Sequence, residues 1–215
     1  MTVVAGRFIT LEGGEGTGKS TQIRRLSAAL TEKGISVLTT REPGGSPGAE
    51  EIRKLMVEGD PGRWDAITET LLAYAARADH VARTIGPALM SGRWVICDRF
   101  NDSTFAYQGV GRGVPRETIR RIDSAVLDDF APDLTLILDL DVRLGLARAM
   151  ARPDTKAGAE NRFEKFGTDF HEKLRQAFLD IARRDPGRCR VVDAGGTEDE
   201  VAGAIFTAVC RRFDL

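Results

Sequence analysis

The sequence predicts an α/β fold of three layers: a five-stranded parallel sheet with helices on both faces. Three observations carry this expectation. Apolar runs of strand length alternate with stretches of helical periodicity, the pattern of strands joined by crossover helices. The run Arg93-Trp94-Val95-Ile96-Cys97-Asp98 is apolar on both of its alternating faces, as a strand covered on both sides must be. A glycine-rich loop separates the first strand from the first helix.

Arg7 to Glu12 forms the first strand, and Lys19 to Lys33 a helix with Ile23, Leu26, Ala29 and Leu30 on one face and Gly34 placed to end it. Ser36 to Thr40 is the second strand. Two prolines and three glycines from Arg41 to Gly48 break both periodicities, so a loop follows. Ala49 to Val57 reads as a short helix, and Ala66 to about Ser91 as one long helix closed by Gly92. After the third strand at Arg93–Asp98, the Asn-, Asp-, Ser- and Gly-rich stretch from residue 101 reads as a loop. A helix then runs from Pro115 to about Phe130. Leu134 to Asp139 is the fourth strand, and Val142 to Ala151 a helix. Pro153 to Asn161 is the most polar and least periodic part of the chain, the signature of a mobile loop. A helix from Thr168 to Arg184, a short strand at Arg190–Asp193 and a helix from Thr197 to Phe213 complete the chain.

At 215 residues the chain suits one domain spanning 1–215, large enough to bury roughly 70% of its unfolded surface. With 42% hydrophobic and 29% charged residues it has the composition of a globule rather than a disordered or fibrous chain. A net charge of −1 excludes the broad basic field that would grip nucleic acid or an anionic membrane. Cys97, Cys189 and Cys210 are an odd number without CxxC spacing, which argues against a disulfide framework or a zinc site and for a reducing, cytoplasmic setting. There is no signal-peptide stretch and no apolar run of spanning length. Arginine outnumbers lysine 25 to 6. Genomic base composition would produce that bias, and so would a need for bidentate grip on phosphate.

Gly13-Gly14-Glu15-Gly16-Thr17-Gly18-Lys19-Ser20, continuing into Thr21, fits G-x-x-x-x-G-K-[ST], the phosphate-binding P-loop. Glycines let the backbone curl with its N–H groups pointing at an anion, and the positive end of the following helix faces the same spot. Lys19 then reaches the terminal phosphates of a nucleoside triphosphate and the Ser20 hydroxyl ligates Mg²⁺. About 0.01 accidental matches are expected in a chain of this composition, and this one lies between a strand and a helix as the motif requires. The fold expectation thereby sharpens to the P-loop NTPase type. Asp98, ending the third strand, suits the metal side, and Arg99 beside it suits a phosphate in the crevice where such sheets bind ligands. No base-reading N-K-x-D tetrapeptide of GTPases occurs. From these residues alone the reading stops at a P-loop phosphotransferase, with a switch-type ATPase as the alternative from another class.

Glu12 through Thr21, Thr40-Arg41-Glu42-Pro43-Gly44-Gly45, and Asp98-Arg99-Phe100 through Ala106-Tyr107-Gln108-Gly109 to Gly113 together resemble the bacterial thymidylate kinases. The resemblance spans Phe8 to about Phe166. It implies ATP-dependent phosphorylation of thymidine monophosphate (dTMP) to the diphosphate (dTDP) on Mg²⁺, by a homodimer with a core, an acceptor region and a lid at about 148–166. It further implies that Arg41 and Arg99 hold the acceptor phosphate beside Glu42 and Pro43, and that Glu15 lies near the sugar 3′-hydroxyl. Arg77 resembles the base-reading arginine, with Ser103, Tyr107 and Gln108 lining the base and sugar side. Where the family usually has a base-stacking Phe this chain has Ala73, so either another aromatic such as Phe100 or Tyr107 compensates or acceptor affinity is weaker. Because the P-loop carries no arginine, the resemblance implies one supplied by the lid: Arg152 and Arg148 first, then Arg162, with Lys156 and Lys165 nearby. An arginine closing on the transferring phosphoryl is worth about 10³ to 10⁵ in rate.

Other residues read as structural. His80 and His171 lack a partner at ligand spacing and are expected on helix surfaces. Trp64 and Trp94 read as packing, and Cys97, in an apolar strand, as inert.

Overall fold

The computed structural model describes residues 6–60, 62–151, 162–163 and 166–215. Its centre is a five-stranded sheet of β1 (Phe8–Gly13), β2 (Val37–Arg41), β3 (Trp94–Asp98), β4 (Leu134–Asp139) and β5 (Cys189–Asp193). The strands lie in the order β2-β3-β1-β4-β5, every neighbouring pair parallel. β1 therefore sits in the middle, and the chain leaves it first toward one edge and later toward the other. The crevice at the carboxyl end of β1 is where such a sheet binds ligands.

The helices are α1 (Lys19–Glu32), α2 (Pro47–Val57), α3 (Ala66–His80), α4 (Gly86–Met90), α5 (Asn101–Thr104), α6 (Arg116–Leu127), α7 (Val142–Met150), α8 (Thr168–Arg184) and α9 (Glu198–Phe213). One face of the sheet packs Ile9, Leu11, Leu134, Leu136 and Leu138 against Ile23, Leu26 and Leu30 of α1 and Val201, Ile205 and Val209 of α9. The other packs Phe8, Val95 and Cys97 against Tyr74, Ile85, Phe100 and Ile119. Each such aliphatic or aromatic side chain contributes about 1.5 to 3 kcal/mol by leaving water. Trp94 packs edge-on against Phe213, ring centroids 4.8 Å apart. Cys97 is fully buried and its thiol pushed well above its ordinary pKa by burial, as an inert residue should be.

Two segments differ from the sequence expectation. The long helix over 66–91 is interrupted: α3 widens into π-helical turns at Val81–Ile85 before α4. Pro87, in the first turn of α4, has no N–H to donate and its ring crowds the preceding turn, and widening relieves both problems. The stretch from residue 101, expected as a loop, is helical: α5 runs directly into wide turns at Phe105–Gly111. Local composition argues for a loop, but a partner distant in sequence caps the segment. The Glu12 carboxylate at the end of β1 accepts the N–H of Phe100 at 2.8 Å and of Ser103 at 3.2 Å.

Both histidines are also corrected. His80 is fully buried and His171 nearly so, the latter edge-on to Phe170 at 5.5 Å. Neither lies on a helix surface.

Candidate active site

The loop from Gly13 to Gly18 connects β1 to α1 at the central crevice. Gly13, Gly16 and Gly18 have φ of 135°, 68° and 86°, the left-handed region that a side chain resists. A Cβ at Gly16 would fall 1.9 Å from the carbonyl oxygen of Gly145, so the loop lies directly on the backbone of α7. No side chain caps α1, whose first N–H groups face the loop. Asp65 and Thr197, by contrast, accept the first N–H groups of α3 and α9. Lys19 folds over the loop, its Nζ donating to the carbonyls of Gly14 at 2.8 Å and Gly13 at 3.3 Å and to Thr17 Oγ1 at 3.4 Å. Burial, and next to it Arg99, lower its ammonium to about 8, against the pull of Asp98, Glu15 and Glu12.

Sheet register sets the other charges. Asp98 stands level with Leu11 of β1 and Arg41 of β2, at the same end of the sheet as the loop. Ser20 Oγ donates to Asp98 Oδ2 at 3.0 Å, which brings the two oxygen groups expected at a metal together. Arg99 follows with φ 67°, turning its guanidinium back toward the loop. It donates to the Gly13 carbonyl and Glu15 Oε1, each at 2.9 Å, and to Ser103 Oγ at 3.3 Å. Tyr107 Oη donates to the same Glu15 oxygen at 2.6 Å. Burial works to raise Glu15, but Arg99 and Lys19 overcome it and hold the carboxyl at about 2, ionised at any working pH.

Next to the loop lies an open cavity of about 480 Å³, within the ~300–1,000 Å³ of small-ligand sites. Glu15, Gly16, Lys19, Ser20, Arg41, Glu42, Pro43, Arg77, Asp98, Arg99, Ser103, Tyr107 and Gln108 all line it. Its phosphate-loop end is charged, while Met56, Val57, Ala73, Phe100 and Phe163 supply an apolar wall. Ala73 leaves no ring at its position; the aromatic faces come from Phe100, Tyr107 and Phe163. Arg41 is exposed and pairs with Glu50 at 3.0 Å. Gln108 Nε2 donates to Glu69 at 2.7 Å. Gly13, Gly14 and Thr17 line a second, smaller recess on the other side of the loop. Gly18 is the residue preceding α1, and Thr21 lies in the helix's first turn.

Of the proposed lid arginines, the two described ones, Arg148 and Arg162, line neither recess. Arg148 is exposed and donates to the Ala194 carbonyl at 3.3 Å, outside both recesses. Arg152, with Lys156 and Lys165, lies outside the described residues. Arg162 is corrected: it is fully buried, with Nη2 2.6 Å from Glu69 Oε2, Nε donating to the Asp60 carbonyl and Nη1 to that of Met56. Its fork holds a carboxylate and two backbone carbonyls, and Arg162 lines neither recess.

The sequence reading missed Glu12 and His80. Helical spacing carries a signal for the second, since Ala73, Arg77 and His80 share one face of α3. Glu12 carries only the anomaly of a carboxylate in an otherwise apolar strand. It is fully buried; burial and the Asp102 carboxylate push it up to about 7, against Arg99 and the hydrogen bond from Ser103. A carboxyl whose pKa is raised on folding holds more protons folded than unfolded. Its contribution to stability is complete below about 4.5 and lost as pH rises through about 7. Unfolding free energies of Glu12→Gln and wild type, measured by denaturant from pH 5 to 8, are therefore expected to diverge in the variant's favour as pH rises. Parallel pH profiles would contradict the assignment.

A phosphate-cradling loop at the mouth of an arginine-lined cavity, on a 2-3-1-4-5 parallel sheet, defines a P-loop phosphotransferase. Comparison with known proteins narrows this. Residues 11–205 match the family model described as thymidylate kinase, and the chain belongs to that family. It is 53% identical over 210 residues to the thymidylate kinase of Caulobacter vibrioides, covering 98% of this chain and 99% of that one. It is 54% identical to that of Jannaschia sp., covering 95% and 96%. The crystal structure of thymidylate kinase from Ehrlichia chaffeensis superposes with a TM-score of 0.75 at 34% identity, covering 95% of this chain and 99% of the other.

Proposed function

We propose that the chain transfers the γ-phosphoryl group of ATP to the phosphate of dTMP, giving ADP and dTDP. The observation that carries this reading is the single cavity in which Lys19 and Ser20 of the phosphate loop meet Arg41, Asp98 and Arg99, with an apolar wall opposite. An acceptor phosphate is already anionic, so the reaction needs no strong general base, and positioning with charge neutralisation does the work.

In this reading the N–H groups of residues 13–21 and the Lys19 ammonium hold the ATP phosphates. Arg41 and Arg99 hold the acceptor phosphate, each charge-assisted contact contributing about 1.5 to 3 kcal/mol. Glu15, kept ionised, faces the sugar, and Arg77, Ser103, Tyr107 and Gln108 enclose the base. Among the described residues no group of three His, Cys, Asp or Glu side chains is placed to hold a metal. Paired oxygens such as Ser20 Oγ and Asp98 Oδ2 suit Mg²⁺, which takes few protein ligands and completes its shell with water and substrate phosphate. When bound, the ion supplies charge neutralisation at the phosphates. Arg148 and Arg152 belong to the proposed lid. Exposed Ile67 and Leu71, one turn apart on α3, form the kind of apolar face that a homodimer covers. Among the described residues no helix is long and apolar enough to cross a membrane, and we place the enzyme in the cytoplasm.

An acceptor panel tests the reading. Purified protein with Mg·ATP is expected to convert dTMP to dTDP in preference to guanosine or cytidine monophosphate, and to leave thymidine itself untouched. Turnover of another monophosphate, with dTMP inert, would refute it.

A further inference from the structure

We propose that His80 is a positioning residue for the acceptor nucleotide: acting through Glu42, it fixes the orientation in which Arg77 presents its guanidinium to the acceptor cavity. This rests on the acceptor reading of that cavity. His80, Glu42 and Arg77 form a continuous buried chain, their side chains 0%, 4% and 3% exposed. His80 Nδ1 lies 3.1 Å from Glu42 Oε1, and Arg77 Nε donates to Glu42 Oε2 at 2.7 Å. On its other side, His80 Nε2 lies 2.7 Å from Thr40 Oγ1.

Chemistry gives the chain a direction. A carboxylate only accepts, so Nδ1 must carry a proton. In the neutral ring Nε2 is then the acceptor and takes the hydroxyl proton of Thr40. The glycine loop is built around this pair: a Cβ at Gly45 would fall 2.3 Å from His80 Nε2 and 2.5 Å from Thr40 Oγ1. Each ring nitrogen has one partner, and the imidazole has no other orientation that serves both.

The end of the chain is the functional part. A guanidinium has five N–H donors. In Arg77, Nε is committed to Glu42, Nη1 to Asn101 Oδ1 at 3.2 Å and Thr104 Oγ1 at 3.1 Å, and Nη2 to the Phe100 carbonyl at 3.1 Å. Among the described residues one Nη2 hydrogen has no partner, and it is the donor available to a ligand in the cavity that Arg77 lines. Where it points depends on the plane of the guanidinium. Glu42 sets that plane through Nε, and His80 holds Glu42. Without His80, Glu42 Oε1 loses its donor, the carboxylate turns, and Arg77 follows. The ATP side of the site shares none of these contacts.

The test uses full-length enzyme and separate Michaelis constants for dTMP and ATP. His80→Phe, which fills the space without donors, is expected to raise the dTMP KM at least tenfold and leave the ATP KM within twofold. In His80→Asn the side-chain N–H stands in for Nδ1–H toward Glu42, and most of the dTMP affinity is expected to return. If His80→Phe does not fold, Thr40→Val releases the outer end of the chain and is expected to give a smaller rise with the same split. A dTMP KM that does not change, dTMP and ATP constants that rise together, or an asparagine variant no better than phenylalanine would each overturn the proposal. Wild-type enzyme that makes no dTDP would overturn the acceptor reading instead, and this inference with it.

Discussion

Replacing Lys19 with alanine is expected to lower kcat by at least about 10³, the range seen when a preorganised charge at a transferring phosphoryl group is removed. The expected cost to the fold is small. The Lys19 ammonium is buried, and burial is the main cause that lowers it to about 8, so the folded state gives up solvation to keep it. Its partners within the loop are carbonyls of Gly13 and Gly14 and the Thr17 hydroxyl, each able to take a water. Glu15 keeps Arg99 and Tyr107 when Lys19 is gone. Steady-state turnover with Mg·ATP and dTMP, alongside a melting curve, separates the two effects. A variant of undiminished turnover would remove the phosphate loop from the mechanism.

Arg162→Ala is expected to do the opposite. It takes the nearer of two guanidinium partners from the fully buried Glu69 carboxylate, leaving the longer contact with Arg112 Nη1 at 3.7 Å. Breaking a buried pair from one side costs about 3 to 5 kcal/mol. For a chain of this size that lowers the melting temperature by roughly 6 to 20 °C. The carbonyls of Met56 and Asp60 lose their donor as well, and Gln108 shares Glu69 as its acceptor. Thermal unfolding and kcat, measured on the same preparation, tell an arginine of the packed corner from one of the lid. Loss of turnover at an unchanged melting temperature would restore Arg162 to the phosphates.

The contrast between these two residues shows what the sequence made legible. Lys19 belongs to a contiguous motif whose geometry is set by neighbouring glycines, so eight residues of text specify a site. Asp98 was legible for a similar reason: it ends an apolar strand, and parallel register brings strand ends to one edge, whereas Arg41 was reached through the family resemblance. Arg162 is specified by Glu69, 93 positions earlier, and nothing local distinguishes it from an arginine that borders a polar loop. The same holds for the helix from residue 101, where the Glu12 cap lies 88 positions away from Phe100. His80 was read as a surface residue because its partners, Thr40 and Glu42, come from a different strand and loop. Residues that donate to their own neighbourhood are readable; those that answer a distant carboxylate are not.

The position of β1 has a consequence for how the chain is made. It is the first strand to leave the ribosome and the central one in the finished sheet. Its pairing with β3 becomes possible once residue 98 has emerged, but β4 is complete only when residue 139 has followed. At ordinary elongation rates of about 5–20 residues per second, that leaves one row of β1 backbone N–H and C=O groups unpaired for about 2 to 8 s. An apolar strand with an open edge is a template for pairing with another chain. The nascent sheet thus keeps one edge of its central strand open until β4 has emerged.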